Sequence, residues 1–387
     1  MMARQSWDVV VVGGGLIGSS AAYHLTRSGV RTLLLEKGDL ASGASGANFG
    51  NAQVQDSEFG LSLELTCQGY GLVANLEEEL DTCLDFRQTG SLLLIETEKQ
   101  WAAMERRAAV LEGGGVHSQL LDREELSRLE PSLSPEAVIG ALYHAYEGDL
   151  NPFKLVHAYA LRGREHGLEV RTHTEVTSVR VEGGRVTGVE ARDPQANGAG
   201  YIAADCVILA NGAWAQRLAQ TASIDLPLLW VHGEALITET LPLLTRNAIS
   251  SAAFFEDTEE SEEQAVGFCM RQRPEGQVMI GEAALVTKAL ERHVTATSLP
   301  AIAREARQRY PGLQQAAIIR GWAIPVAFLA DNRPLLGPVD EVPGLLVATG
   351  LKSTIIWTPL VGALLSDMVT GRELDPRLAE FSPTREL

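Results

Sequence analysis

The sequence predicts an α/β protein, with a Rossmann-like domain and a discontinuous second α+β domain built on a mainly antiparallel sheet. Three observations predict it. An apolar run, Val9-Val10-Val11-Val12, ends in Gly13-Gly14-Gly15 and continues as an Ala-rich helical pattern from Leu16, with a further glycine at Gly18. The stretch 229–280 instead alternates imperfectly and carries a hairpin signal, Pro274-Glu275-Gly276. The end of the chain returns to strand-then-helix, with Leu345-Leu346-Val347-Ala348-Thr349-Gly350 followed by a helix expected to start at Pro359.

The first unit reads as the strand, turn and helix of a dinucleotide-binding βαβ motif. Gly13 allows the tight turn out of the strand, Gly15 lets the backbone approach a pyrophosphate, and Gly18 lets the helix lie against the strand. Leu16 and Ile17 carry N–H groups of the helix start, which face the phosphates. Glu36 closes the second strand, Leu33-Leu34-Leu35, eighteen residues after Gly18. There it can accept a hydrogen bond from a ribose 2′-hydroxyl and disfavours a 2′-phosphate. The glycines alone do not choose between NAD and FAD. The loop 42–51 is small and hydroxyl-rich where a NAD-binding unit would place another packed helix. It suggests a longer cofactor lying across it.

A chain of 387 residues has room for two domains sharing a substantial core. Its formal charge of −18 argues against nucleic acid as a partner. Four cysteines, at 67, 83, 206 and 269, show no CxxC spacing. No metal site, iron–sulfur cluster or disulfide framework is therefore expected. Only eight residues precede Val9, too few for a signal peptide. The apolar run 342–369 carries Lys352, Pro359 and Asp367, so it reads as a buried strand and helix rather than a membrane span. A cytoplasmic protein with at most peripheral membrane association is expected.

Between the two ends the chain reads as a helix over 60–80 with Leu61, Leu65 and Leu72 inward, then a strand pair over 86–96. A helix over 99–115 follows, then a short helix opened by Asp122 and a strand over 141–147. Asn151-Pro152 reads as an N-cap with proline at the first helical position, and Gly167 stops that helix. A strand at 169–172, a hairpin around Gly183-Gly184, and a strand at 201–209 ending in Ala210-Asn211-Gly212-Ala213-Trp214 come next. A helix over 299–310 and a strand over 317–322 lead into the C-terminal unit. The domains so drawn are 1–85, 145–218 and 315–387 for the dinucleotide, and 86–144 with 219–314 for the substrate.

Four landmarks in fixed order carry a resemblance over nearly the whole chain. They are the glycine turn with Glu36, the loop 42–51, the segment 210–214, and Arg333-Pro334 with Gly337, Gly350 and the Pro359 helix. Together they resemble the FAD-dependent amine and amino-acid oxidoreductases, a family of D-amino-acid, glycine and sarcosine oxidases and of the β subunits of heteromeric proline, hydroxyproline and opine dehydrogenases. The resemblance implies FAD as cofactor. It places Gly13, Gly15 and Gly18 at the pyrophosphate, Glu36 at the ribose, and Lys37 beside the adenine. Ser42, Ala44, Ser45 and Gly46 would pass under the pyrophosphate and ribityl chain, and Val176 would read the adenine edge. Gly212 and Trp214 would close over the cofactor. Gly350, Leu351, Lys352, Ser353 and Thr354 would run beside the isoalloxazine ring, with Arg333 in the nearby turn. The activity implied is oxidation of an amino-acid or secondary-amine C–N bond by hydride transfer to flavin N5, giving an imine. The proline, hydroxyproline or opine type is favoured, in a complex whose partners carry FMN, iron–sulfur or a second dinucleotide site. A self-sufficient oxidase releasing hydrogen peroxide, and a subunit whose FAD is structural, are the alternatives.

Two departures bear on the substrate. Family members often place Gly-Arg-Pro soon after the tryptophan matching Trp322, and that arginine holds a carboxylate. Here the residues are Ala323-Ile324-Pro325-Val326. The histidine often found after the glycine matching Gly350 is replaced by Leu351-Lys352. Lys352 would tune the flavin, contact substrate, or pair with a nearby acid. Arg271 and Arg273, two apart on a strand, would clamp a carboxylate bidentately or lie on an exposed face. His232 is a pocket candidate or a packed histidine. Asn48 and Asn51 end the loop nearest the ring and would reach substrate or flavin.

Overall fold

The computed structural model describes residues 6–193, 198–255, 265–287 and 289–386. Two eight-stranded sheets organise it. The first runs in the order Leu335–Pro338, Leu345–Thr349, Gly198–Leu209, Trp7–Val12, Thr32–Leu35, Glu169–Arg171, and the hairpin Glu175–Glu182 and Arg185–Asp193 extends Gly198–Leu209. Its central pairings are parallel. Val9 and Val11 pack into one core and Val10 and Val12 into another, which is why this strand reads as an unbroken apolar run rather than an alternating one.

The second sheet runs Ile318–Phe328, Leu229–Thr240, Gln277–Thr287, Ala265–Gln272, Ala248–Ser251, Ser91–Ile95, Gly140–His144, Gln119–Asp122. It is antiparallel except where Ala248–Ser251 meets Ser91–Ile95. One face packs on helix Ser298–Arg309 through Leu236, Ile280, Ala283, Ile302 and Ala306. The other face turns towards the C-terminal strand ends of the first sheet, where open α/β sheets place their ligands.

Several local signals act as read. Asn151 accepts from the amides of Phe153 and Lys154 and starts helix Pro152–Glu165. Asp122 and Glu125 form a reciprocal capping box at helix Arg123–Leu129. Tertiary contacts override others. The helix expected at Pro359 is Thr354–Thr370, with the proline inside it. Burial of Ile355, Ile356 and Trp357 against the first domain outweighs the hydrogen bond Pro359 removes. A Cβ at Gly69 would lie 2.4 Å from the Ile356 carbonyl oxygen, so the glycine permits that approach. The helix over 60–80 is two, Leu61–Val73 and Leu76–Glu79, and Leu72 is exposed. The expected strand pair over 86–96 is the single strand Ser91–Ile95. The strand expected to stop at 322 continues to Phe328 and belongs to the second sheet, across the boundary drawn at 315. Its Pro325 is accommodated because this strand is the sheet's edge. Among the described residues no helix is long and apolar enough to cross a membrane.

Candidate active site

A cavity of about 1020 Å³ lies between the strand ends of the first sheet and the open face of the second. It is lined from Glu36, Lys37 and Val176 at one end to Leu351, Lys352, Ser353 and Thr354 at the other.

The first end is built from backbone. Gly13 turns with φ +112°, and a Cβ on it would sit 2.6 Å from the Ala210 carbonyl oxygen. A Cβ on Gly18 would lie 1.9 Å from the Gly13 oxygen, so this glycine serves helix-to-strand contact and does not line the cavity. A Cβ on Gly15 would meet only the Ser45 hydroxyl, at 2.6 Å. That hydroxyl accepts from the Leu16 amide at 2.9 Å. Leu16 and Ile17 line the cavity, and Gly15 gives their helix no side-chain cap. Glu36 accepts one backbone N–H on each carboxylate oxygen, from Gly14 and Gly38, both at 2.8 Å. Each oxygen so held has a lone pair left for a hydroxyl. The Lys37 ammonium stands 3.6 Å from the Trp214 ring centroid, and burial lowers its pKa. Ser42, Ala44 and Gly212 complete this wall. Gly46 does not line it, because its Cβ direction points at the Ala41 carbonyl and the Phe153 ring.

The other end is built from side chains brought together across both sheets. Gly350 and Ser353 take positive φ, +73° and +47°, and deliver the chain to helix Thr354–Thr370. No side chain caps that helix, since the Ser353 hydroxyl donates to Asp56 at 3.1 Å. Its first amides therefore form a second positive helix end on the cavity. Lys352 donates to Glu58 at 3.0 Å. Opposite, Trp322 donates from its indole to the Ala47 carbonyl at 3.0 Å and meets Phe49 edge-on at 6.1 Å. Asn48 bridges the Ser45 carbonyl at 2.6 Å and the Gly50 amide at 2.7 Å, so it fixes the loop while lining the cavity.

The expected carboxylate clamp does not form. Arg271 is 2% exposed and lies off the cavity wall, 2.7 Å from Asp149, with its Nε on the Asn51 carboxamide oxygen at 2.5 Å. It holds Asn51, which does line the cavity. Arg273 has left the strand, which ends at Gln272, and pairs with Glu275 in the turn. His232 points away from the cavity, packing on His293 at 5.6 Å with Glu234 at 3.5 Å. Arg333 is near the surface with Glu380 at 3.7 Å, also off the wall.

Asp56 and Glu282 escape sequence reasoning, and both line the cavity. The segment carrying Asp56 is held from beneath. The amides of Val54 and Gln55 donate to the buried Glu147 carboxyl, and Arg107 donates to the carbonyls of Gln55 and Ser57 at 2.5 and 2.7 Å. Burial pushes Glu147 up to about 8 and also raises Asp56, with Ser353 and Arg107 opposing the latter shift. These contacts join residues up to 93 positions apart, and no local pattern announces them.

The residues present fit an extended dinucleotide. Cβ-free Gly13 and Gly15 leave room for a pyrophosphate, the starts of two helices face the same cavity, and the volume reaches the upper range of cofactor sites. This is the construction of an FAD-binding oxidoreductase. The chain belongs to the FAD dependent oxidoreductase family, whose model matches residues 8–368, and FAD is its cofactor. It is 30% identical to glycine oxidase of Geobacillus kaustophilus, covering 98% of this chain and 97% of that protein. It is 27% identical to hydrogen cyanide synthase subunit HcnC of Pseudomonas aeruginosa, covering 99% and 97%. The crystal structure of the Geobacillus kaustophilus glycine oxidase superposes with a TM-score of 0.87 at 28% identity, covering 99% of both chains.

Proposed function

We propose that this chain oxidises the C–N bond of an amino acid or secondary amine to an imine, as the FAD-bearing dehydrogenase subunit of a heteromeric cytoplasmic complex. The partner would carry FMN, an iron–sulfur centre or a second dinucleotide site. The observation that carries the reading is the reactive end of the cavity, where the uncapped helix start at Thr354 faces an apolar wall of Phe49, Trp322 and Ile324. Bound FAD supplies the two-electron acceptor. The chain's own residues supply the rest. The apolar wall excludes water and favours the neutral amine, the form that can be oxidised. The helix start stabilises negative charge developing beside residues 350–354. The likeness to a protein named as a subunit, HcnC, supports the heteromeric arrangement. The likeness to glycine oxidase favours a second reading, a self-sufficient oxidase producing hydrogen peroxide.

The test is anaerobic titration of the purified yellow protein with amines and amino acids, following the flavin band at roughly 450 nm. Bleaching is expected, with slow recovery in air and faster recovery with a co-purifying partner. Rapid recovery in air supports the oxidase. A flavin that no amine or amino acid bleaches overturns both readings and leaves a structural FAD.

A further inference from the structure

Glu282 is aimed into the cavity by an irregularity of the sheet. Strand Gln277–Thr287 pairs with Leu229–Thr240 as Ala235 opposite Gly281 and Glu234 opposite Ala283, so Glu282 has no opposite number. On the other side Cys269 pairs Gly281 and Val266 pairs Ala283. Ile280 and Ala283 both pack into the core against helix Ser298–Arg309. Strict alternation would have put Glu282 on the same face as Ile280. The extra residue shifts the pleat by one, and Glu282 emerges on the cavity side instead.

The carboxylate has no hydrogen-bond or ion-pair partner among the described residues, and burial alone raises its pKa. A Cβ on the preceding Gly281 would lie 3.0 Å from the Cys269 sulfur and 3.2 Å from the Phe49 ring, and Cys269, Phe49 and Glu282 all line the cavity. Of the other acids on the wall, Glu234 is held by Thr295 and Ser298, and Asp56 accepts the Ser353 hydroxyl and feels the charges of Arg107 and Lys352. The cation at this end, Lys352, is already matched by Glu58. The arginines of the lining belong elsewhere: Arg192 pairs Glu175, Arg217 faces Trp230, and Arg292 donates to the Ser42 carbonyl. This end of the cavity thus presents a carboxyl, Glu282, that no cation among the described residues matches, an environment that disfavours a substrate carboxylate and can take an ammonium as its ion-pair partner.

We infer that Glu282 selects a substrate with a second, non-reacting ammonium, a diamine or polyamine, by pairing with that distal charge. The inference rests on the C–N reading and narrows it from amino acids to amines without a carboxylate. The reacting amine would lose its proton to solvent on entry, a hydride would leave its α-carbon for the bound FAD to give an iminium, and the distal nitrogen would keep its proton and pair with Glu282.

The test compares holoenzyme with Glu282→Gln, using 1,4-diaminobutane, butylamine, glycine and proline in anaerobic bleaching. It adds binding of the bis-quaternary analogue of 1,4-diaminobutane, which has no lone pair to oxidise, read by perturbation of the flavin band. The native chain should prefer the diamine to butylamine in kcat/KM. The substitution should lower that ratio about tenfold to a hundredfold through KM, and weaken the bis-quaternary ligand by a similar factor. Glu282→Lys should shift preference towards glycine or proline. An unchanged ratio with unchanged binding overturns the inference while leaving C–N oxidation standing. Bleaching by amino acids but not diamines does the same. If nothing bleaches, the C–N reading fails, and tight bis-quaternary binding lost in Glu282→Gln still upholds the role of Glu282.

Discussion

The two ends of the cavity are made differently. At the Glu36 end the wall is set by backbone: a glycine turn, a helix start, and a carboxylate locked by the amides of Gly14 and Gly38. Its turn, helix start and acid lie within one βαβ unit, and Val176, Ala210, Gly212 and Trp214 close it from later strands. At the other end, Asp56, Glu282, Trp322 and Lys352 come from four separate segments, two of them strands of the second sheet and two of them loops. Backbone-built recognition tolerates little change and binds one kind of ligand. Side-chain recognition can be rewritten without disturbing the fold. Ala323-Ile324-Pro325-Val326 after Trp322, with no arginine among them, is a feature of that second kind.

The largest effect should come from the glycines, and two of them separate folding from binding. A methyl at Gly18 would meet a main-chain oxygen at 1.9 Å, whereas one at Gly15 would meet a rotatable serine hydroxyl at 2.6 Å. Gly18→Ala should therefore destabilise the apoprotein by about 4 kcal/mol or more, seen as a large fall in melting temperature. Gly15→Ala should keep the apoprotein melt nearly unchanged but lose FAD, seen as a reduced ratio of flavin to protein absorbance. Equal effects of both on the apoprotein melt would show that the two glycines do not divide the work this way.

This division explains what could be read from the residues alone. The glycine turn, Glu36, the Asn151-Pro152 helix start and the Asp122 cap depend on neighbours close in sequence, so their chemistry is local. The reactive end depends on pleat phase and long-range supports. Arg271 and Arg273 look like one face, but the strand ends between them and the turn redirects the second. His232 packs on His293 and Glu234, while Gly233, Glu234 and Ala235 line the cavity. Glu282 depends on a bulge that alternation conceals, and Asp56 on a Glu147 and an Arg107 that carry no motif.

The Arg271 pair tests that phase argument with a middle-sized effect. Arg271→Met removes the partner of Asn51 and one of two arginines on Asp149, the other being Arg87 at 2.7 Å. A stability loss of about 3 kcal/mol is expected, towards the lower end for a buried pair because Arg87 remains. Arg273→Ala, on the exposed turn, should change stability by no more than about 0.5 kcal/mol. Urea unfolding of the two variants measures both. An Arg271→Met protein of native stability whose only defect is a raised KM for an amino acid would restore the carboxylate clamp.

The smallest effect lies in the pH dependence of the support beneath Asp56. Glu147 is raised from 4.5 to about 8 by burial, and Glu130 to about 7. In the folded chain these carboxyls keep protons that the unfolded chain releases, so stability falls as pH rises and the loss is complete above about 8. Burial lowers His144 to about 4 and His24 to about 3 from 6.5, which has the opposite sign. Below 6.5 the unfolded chain takes up protons that these histidines refuse, so their contribution rises with pH there and is constant above. The carboxyls therefore act unopposed by the two histidines between pH 6.5 and 8. Melting temperature should fall across that window, and Glu147→Gln should flatten the fall. The glutamine oxygen can still accept from Val54 and Gln55, and its amide can donate to Ser91, so the substitution removes the titration more than the contacts. Parallel curves for the two proteins would mean that Glu147 is already ionised at pH 6.5, and that Asp56 rests on a charged support rather than a neutral one.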